Sequence, residues 1–169
     1  IVPDPRGNGS FWVSDTSRVR CYDNSGRLRT TASTNGKSKV IPDPRGNGNF
    51  WLEEDNRVTC YNRRGRRVGR ISTTGKPCII PDPRNNGEFW IAENNAVRCF
   101  NQNGQEIGNF PTTGQGRITP DPRNNGGFWV ADDHSVKCFN QDGQQVGSTI
   151  TTAGKAILVP DPRRNGGFW

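Results

Sequence analysis

The 169-residue sequence has no methionine, a single histidine and only 30% hydrophobic residues. No apolar run approaches the 18 or more residues of a membrane-spanning helix. Each absence removes a class of function. His134 stands alone in a polar turn, Asp132-Asp133-His134-Ser135, so neither a His-dependent nucleophile nor a multi-His metal site can be assembled. The five cysteines include no C-x-x-C pair, which argues against structural zinc. No glycine-rich phosphate loop leads from a strand into a helix, and no stretch has helical periodicity. No signal peptide is visible. The chain starts inside a repeat, so its natural N-terminus is expected further upstream. No cofactor is implied.

What is present is repetition. Pro3-Asp4-Pro5-Arg6, a loop of Asn and Gly, and Phe11-Trp12 return at Pro42–Trp51, Pro81–Trp90, Pro120–Trp129 and Pro160–Trp169, with starts 39, 39, 39 and 40 residues apart. A fixed period in this range marks a repeat architecture. With 21 Gly and 12 Pro among short apolar runs, the repeats read as all-β with tight turns. Four strands parse per repeat. Strand A is the apolar lead-in to Pro-Asp-Pro, as in Val40-Ile41. Strand B starts at Phe-Trp, as in Phe11–Ser14. Strand C is Arg18–Tyr22 and its equivalents. Strand D carries Leu28, Val68, Ile107 and Val146. Gly7-Asn8-Gly9 and Asn86-Gly87 suit the positive φ of an A–B hairpin, and Asp23-Asn24-Ser25-Gly26 suits the C–D turn.

Four short antiparallel strands, repeated, describe a propeller blade. The expected fold is an all-β β-propeller of ~39-residue four-stranded blades, with four full repeats plus the A–B half of a fifth. Residues 1–169 are expected to form a single repeat domain (repeats 3–41, 42–80, 81–119, 120–159 and the partial 160–169) belonging to a longer array or completed by another chain. An open β-solenoid or other stacked β array is the rival reading. The segments FWVSD…SRVRCYDNSGRL and FWVAD…SVKCFNQDGQQV resemble the NHL-type β-propeller repeat. That pattern has an aromatic-Val-Ala-Asp strand, a short apolar strand ending in an aromatic and Asp or Asn, and a turn glycine. Cysteine replaces the commoner aliphatic residue in strand C, and the two-proline corner is peculiar to this sequence. A Tyr-Asp repeat is echoed in CYDNSGRL, but its shorter period does not fit. Some NHL-type propellers are metal-dependent lyases with several histidines; this chain lacks them, so the resemblance implies no enzyme here.

Two readings of the repeated Asp and Arg are open. Asp4, Arg6 and Trp12, with Asp43, Arg45 and Trp51, Asp82, Arg84 and Trp90, and Asp121, Arg123 and Trp129, could form one polar ligand site per blade, the ring serving as a stacking face for a sugar. Alternatively Asp caps the corner and Arg pairs with it. Cys21, Cys60, Cys99 and Cys138 recur in phase with the core and read as buried thiols, whereas Cys78 is out of phase and a candidate for a disulfide. Glu53-Glu54-Asp55 and Asp132-Asp133 are expected in solvated B–C turns.

Charge is uneven. Residues 1–80 hold 15 basic and 7 acidic side chains, residues 81–169 hold 8 and 9. The excess sits in Arg63, Arg64, Arg66, Arg67 and Arg70, a patch able to hold phosphate or sulfate, or simply a solvated turn. Nucleic acid binding there is the lesser reading. Asn8-Gly9-Ser10 is the one N-glycosylation sequon, making Asn8 the candidate acceptor, and the Thr-rich D-to-A stretches are candidate O-glycosylation loops. The fifth A–B corner (Pro160, Asp161, Pro162, Phe168, Trp169) is expected to be an assembly edge for self-association or filament growth. The reading as a whole is a non-enzymatic binding or scaffolding module for a glycan or protein ligand, with an extracellular or cell-surface location expected.

Overall fold

The computed structural model describes every residue except Pro5, Asn35, Pro83, Asn85, Arg164 and Gly166. Pro5 and Pro83 of the repeated corner therefore lie outside the described residues. The chain forms two compact units, Ile1–Pro77 and Cys78–Trp169. Among the described residues there is no helix.

The first unit holds two four-stranded antiparallel sheets, each in simple sequence order. The first contains β1 (Val2–Pro3), β2 (Phe11–Ser14), β3 (Arg18–Tyr22) and β4 (Leu28–Ser33). The second contains β5 (Lys39–Pro42), β6 (Phe50–Glu54), β7 (Arg57–Tyr61) and β8 (Arg67–Ser72). In the second unit, β9 (Cys78–Pro81), β10 (Phe89–Phe100) and β11 (Glu106–Gln115) form a three-stranded sheet. β10 covers what are two strands in the other repeats. It doubles back at Asn95, whose φ is 66°, and stacks the rings of Phe89 and Phe100 with centroids 5.5 Å apart. The last sheet is β12 (Arg117–Pro120), β13 (Phe128–Ala131), β14 (Ser135–Phe139) and β15 (Gln145–Thr151). The fifth A–B corner follows as a hairpin. Pro160 bridges Phe168, and Val159 and Trp169 exchange backbone hydrogen bonds of 3.1 and 2.8 Å.

Turn chemistry sets these boundaries. In every C–D turn the glycine N–H returns to the carbonyl three residues back, as Gly65 to Asn62 at 2.8 Å, and each of these glycines has a φ between 70° and 79°. A side chain would be strained there. Each C–D pair then carries a register shift beside the strand-C cysteine, as between Cys60 and Tyr61. Val68 and Ile107 fall at these irregularities and are exposed, as are Leu28 and Val146. The inward residues of strand D in the first unit are instead Ala32 and Ile71.

Within each unit the core lies between its two sheets. In the first unit Trp12, Val19 and Cys21 of one sheet meet Val40, Phe50 and Leu52 of the next. In the second unit Trp90, Ala92, Val97 and Cys99 meet Ile118, Phe128, Val130 and Phe139. Strand alternation sends the adjacent Phe and Trp to opposite faces, so that within each unit Trp12 and Trp90 face the following sheet and Phe50 and Phe128 the preceding one. Trp12 packs on Phe50 (5.3 Å), Trp90 on Phe128 (4.6 Å) and Trp129 on Phe168 (4.7 Å). Each receiving Phe in a full repeat is stacked in turn on its own strand-C aromatic, Phe50 on Tyr61 and Phe128 on Phe139. Burying such rings contributes about 1.5–3 kcal/mol each, with about 0.5–1.5 kcal/mol more for a well-placed pair.

Candidate functional site

The repeated corner is a closed electrostatic unit. Asp4, Asp43, Asp82, Asp121 and Asp161 are all buried. Each backbone N–H spans the loop to a carbonyl six residues on, 2.9–3.0 Å away, closing the A–B hairpin. Each carboxylate accepts the backbone N–H of the arginine two residues later at 2.8–3.0 Å. The guanidinium then folds back. Nε of Arg45 lies 3.1 and 3.2 Å from the two oxygens of Asp43, with Nη2 at 2.6 Å, and Arg6, Arg84, Arg123 and Arg163 repeat the arrangement. Asn47, Asn125 and Asn165 add an amide donor to the same carboxylate. Burial pushes the Asp4, Asp43 and Asp121 carboxyls up. The hydrogen bonds and charge of the paired arginine outweigh it and hold all three below the usual carboxylate range. The Asp thus caps the corner and orients the Arg. The rings of Trp12, Trp51, Trp90 and Trp129 are 2–4% exposed, so none offers the open stacking face expected from sequence. Trp169 is 72% exposed.

Beside three of the corners lies a cleft. In the first unit it is lined by Arg6, Asn8, Ser10, Cys21, Asp23, Arg29, Thr30, Arg63 and Arg64. Its counterpart in the second unit is lined by Arg84, Glu88, Trp90, Cys99, Phe110 and the turn Gln141-Asp142-Gly143, among others. A third and larger cleft, of 650 Å³, is bounded by Asp121, Arg123, Trp129, Cys138, Asp142 and Val146 with their neighbours. The parts recur: a corner arginine, a strand-C cysteine and polar turn residues. In the first two clefts the C–D turn belongs to the following repeat. It is seated on the preceding sheet, where a Cβ on Gly65 would come 2.3 Å from Oγ1 of Thr30 and one on Gly143 would come 1.9 Å from the Phe110 ring.

The other expected residues are placed as follows. Arg63, Arg64, Arg66, Arg67 and Arg70 are exposed on the C–D turn and β8, and only Arg63 and Arg64 reach the cleft. Asn8 is exposed at its rim, its Oδ1 accepting the Ser10 N–H at 3.0 Å. Glu53 and Glu54 are buried in β6 and not solvated in a turn. Glu54 binds Arg57 through both oxygens at 2.6 Å and accepts the Thr59 hydroxyl. Asp132 is likewise buried. Burial pushes its carboxyl up, but Ser135, Thr113 and His134 bring it down to about 2. Asp23 is brought to about 2 by the Ser25 hydroxyl, the Arg27 N–H and the Arg29 charge. Thr34, Thr73, Thr112 and Thr152 each donate their hydroxyl to a glycine carbonyl; Thr112 is buried, whereas Thr74, Thr113 and Thr151 of the Thr-rich stretches are exposed. Among the described residues no cysteine is in a disulfide, Cys78 included. Burial pushes the thiols of Cys60 and Cys99 up to about 12, so they stay protonated. No three His, Cys, Asp or Glu residues converge as metal ligands among the described residues.

No family model and no curated protein matches the sequence. Solved structures do resemble the fold. Apo AztD from Citrobacter koseri superposes with a TM-score of 0.64 at 11% identity over 84% of this chain. A eukaryotic initiation factor gives 0.64 at 15% identity over 90%, and Chaetomium thermophilum Raptor 0.66 at 18% over 89%. The chain covers 46%, 43% and 16% of those three chains. The fold is therefore all-β and of β-propeller type, built from blade-like antiparallel sheets.

Proposed function

We propose that the chain is a non-enzymatic β-propeller module of the NHL type that acts by multivalent binding or scaffolding, offering its repeated clefts to a glycan or protein ligand outside the cell or at its surface. The observation that carries this is the recurrence of one cleft, built from the same three parts, beside Cys21, Cys99 and Cys138. The buried tryptophans hold the frame and the cleft rims carry the variable chemistry. A glycan array followed by calorimetry tests it. Ligand binding is expected with more than one site per chain, and Gln141→Trp, which fills two clefts from an exposed position, is expected to lower the site number without changing circular dichroism. A single site indifferent to Gln141→Trp, or no ligand at all, rejects the reading.

A second reading rests on the hairpin around Pro160 and Phe168. It carries exposed Ile157, Val159 and Trp169 at the margin of the second unit. Such an edge is a template for strand addition and hence for a structural assembly or filament. Light scattering that stays monomeric up to millimolar concentration would remove it.

A further inference from the structure

We infer that the cleft over Cys21 is a binding site for an acidic sugar, that is, a carbohydrate carrying a sulfate or phosphate ester. The inference deepens the binding reading above by giving one of its clefts a ligand chemistry.

The cleft has a volume of 430 Å³ and is lined by four arginines and one aspartate, with Asp4 buried behind Arg6. Two of the four are held in place. Asp4 fixes Arg6, and Arg29 pairs with Asp23 at 2.9 Å. The other two arrive on the turn of the next repeat. Arg63 is anchored through its backbone N–H to Oδ1 of Asn49 at 3.1 Å, and the Arg64 carbonyl accepts the Thr30 hydroxyl at 3.3 Å. Gly48 lets them converge. At φ 82°, a Cβ there would stand 3.0 Å from the Arg6 guanidinium and 3.1 Å from Cβ of Arg63. Neither Arg63 nor Arg64 has an acidic partner among the described residues. Arg63 and Arg64 therefore leave two uncompensated positive charges at the cleft, which an anion would balance.

The fold does not require these arginines. The same turn is Asn101-Gln102-Asn103-Gly104 in the third repeat and Asn140-Gln141-Asp142-Gly143 in the fourth, with the same hydrogen bond closing it. The counterpart cleft has one arginine, Arg84, already bonded to Asp82 and Glu88, and adds Asp142. The sugar has a place as well. Arg63 and Arg64 also border a second cleft of 420 Å³ lined otherwise by Asn47, Asn49 and Asn62. The Oδ1 atoms of all three are occupied by backbone N–H groups, which leaves the Nδ2 groups of Asn49 and Asn62 as donors to hydroxyls.

Calorimetry with glucose 6-sulfate, glucose 6-phosphate, glucose and a short oligothymidylate tests the assignment on the whole chain. One or both esters are expected to bind, at least tenfold more tightly than glucose and less tightly as salt rises. The double variant Arg63→Gln, Arg64→Asn, which copies the third repeat's turn, is expected to lose tenfold or more with an unchanged thermal melt. Arg117→Gln, which removes one positive charge from β12 outside both clefts, is expected to change nothing. The two ester arms tell a sulfated from a phosphorylated ligand. Equal binding of glucose, an unaffected double variant, equal weakening by Arg117→Gln, or binding of the oligonucleotide alone overturns the assignment. If the esters fail while array ligands still respond to Gln141→Trp, the acidic-sugar site falls and the multivalent reading stands.

Discussion

The clefts over Cys21 and Cys99 share a frame and differ at the rim. Both have a corner arginine locked by a buried aspartate, a strand-C cysteine and a glycine turn seated on the preceding sheet. One turn presents Arg63 and Arg64, the other Gln141 and Asp142. Repeat proteins separate in this way the residues that make neighbours stack from those that meet solvent. The charge asymmetry between the two halves of the chain is thus a difference of surface chemistry carried on a conserved-geometry joint, and not a difference of fold.

If the frames are equivalent, damage to either should cost the same. The largest effect is expected from Trp12→Ala and Trp90→Ala, each removing a buried ring packed on the next repeat's Phe. Each should lose about 3–5 kcal/mol, and chemical denaturation followed by circular dichroism should give values within about 1 kcal/mol of each other. A clear inequality breaks the equivalence. A smaller effect separates the seated turns from the unseated one. Gly26, Gly65 and Gly143 all have positive φ, so alanine costs about 1–2 kcal/mol of backbone strain at each. Only Gly65 and Gly143 also face a neighbour, whereas nothing lies within 4 Å of the Cβ position at Gly26. Thermal melts of the three alanine variants should rank Gly26→Ala as the mildest, and a reversed order removes the seating argument.

The smallest effect is electrostatic. Asp23 in one unit and Asp132 in the other both titrate at about 2, below the ordinary 3.8. Because these carboxyls bind protons less readily when folded, their contribution is complete above about pH 4 and lost as pH falls toward 2. Asp23→Asn and Asp132→Asn should each lower the melting temperature at pH 7 and converge on the parent near pH 2. A gap that persists at pH 2 assigns the loss to geometry and not to charge.

How much of this could be read from residues alone depended on how local the cause was. The period and the A–B and C–D turns follow from glycine and asparagine, and they stand as expected. The reading of Leu28, Val68, Ile107 and Val146 as the residues marking strand D did not reveal that all four are exposed. The register shift beside each cysteine breaks the alternation, and nothing within strand D signals it. Glu54 has the composition of a turn residue, but its partners Arg57 and Thr59 lie across the β6–β7 hairpin, and only the paired strands bring them to it. The tryptophans were ambiguous for a longer-range reason. A recurring ring beside Arg and Asp describes a sugar site and a blade interface equally well, and only the facing Phe of the next repeat decides between them.

That facing Phe gives each indole an optical meaning. Trp12 is dark to solvent because Phe50 covers it, and Trp129 because Phe168 does. Trp169 stands in water. In fluorescence terms, then, Trp12, Trp90 and Trp129 each report the docking of the repeat that follows them within their own unit, and the molecule carries position-coded probes for following that docking.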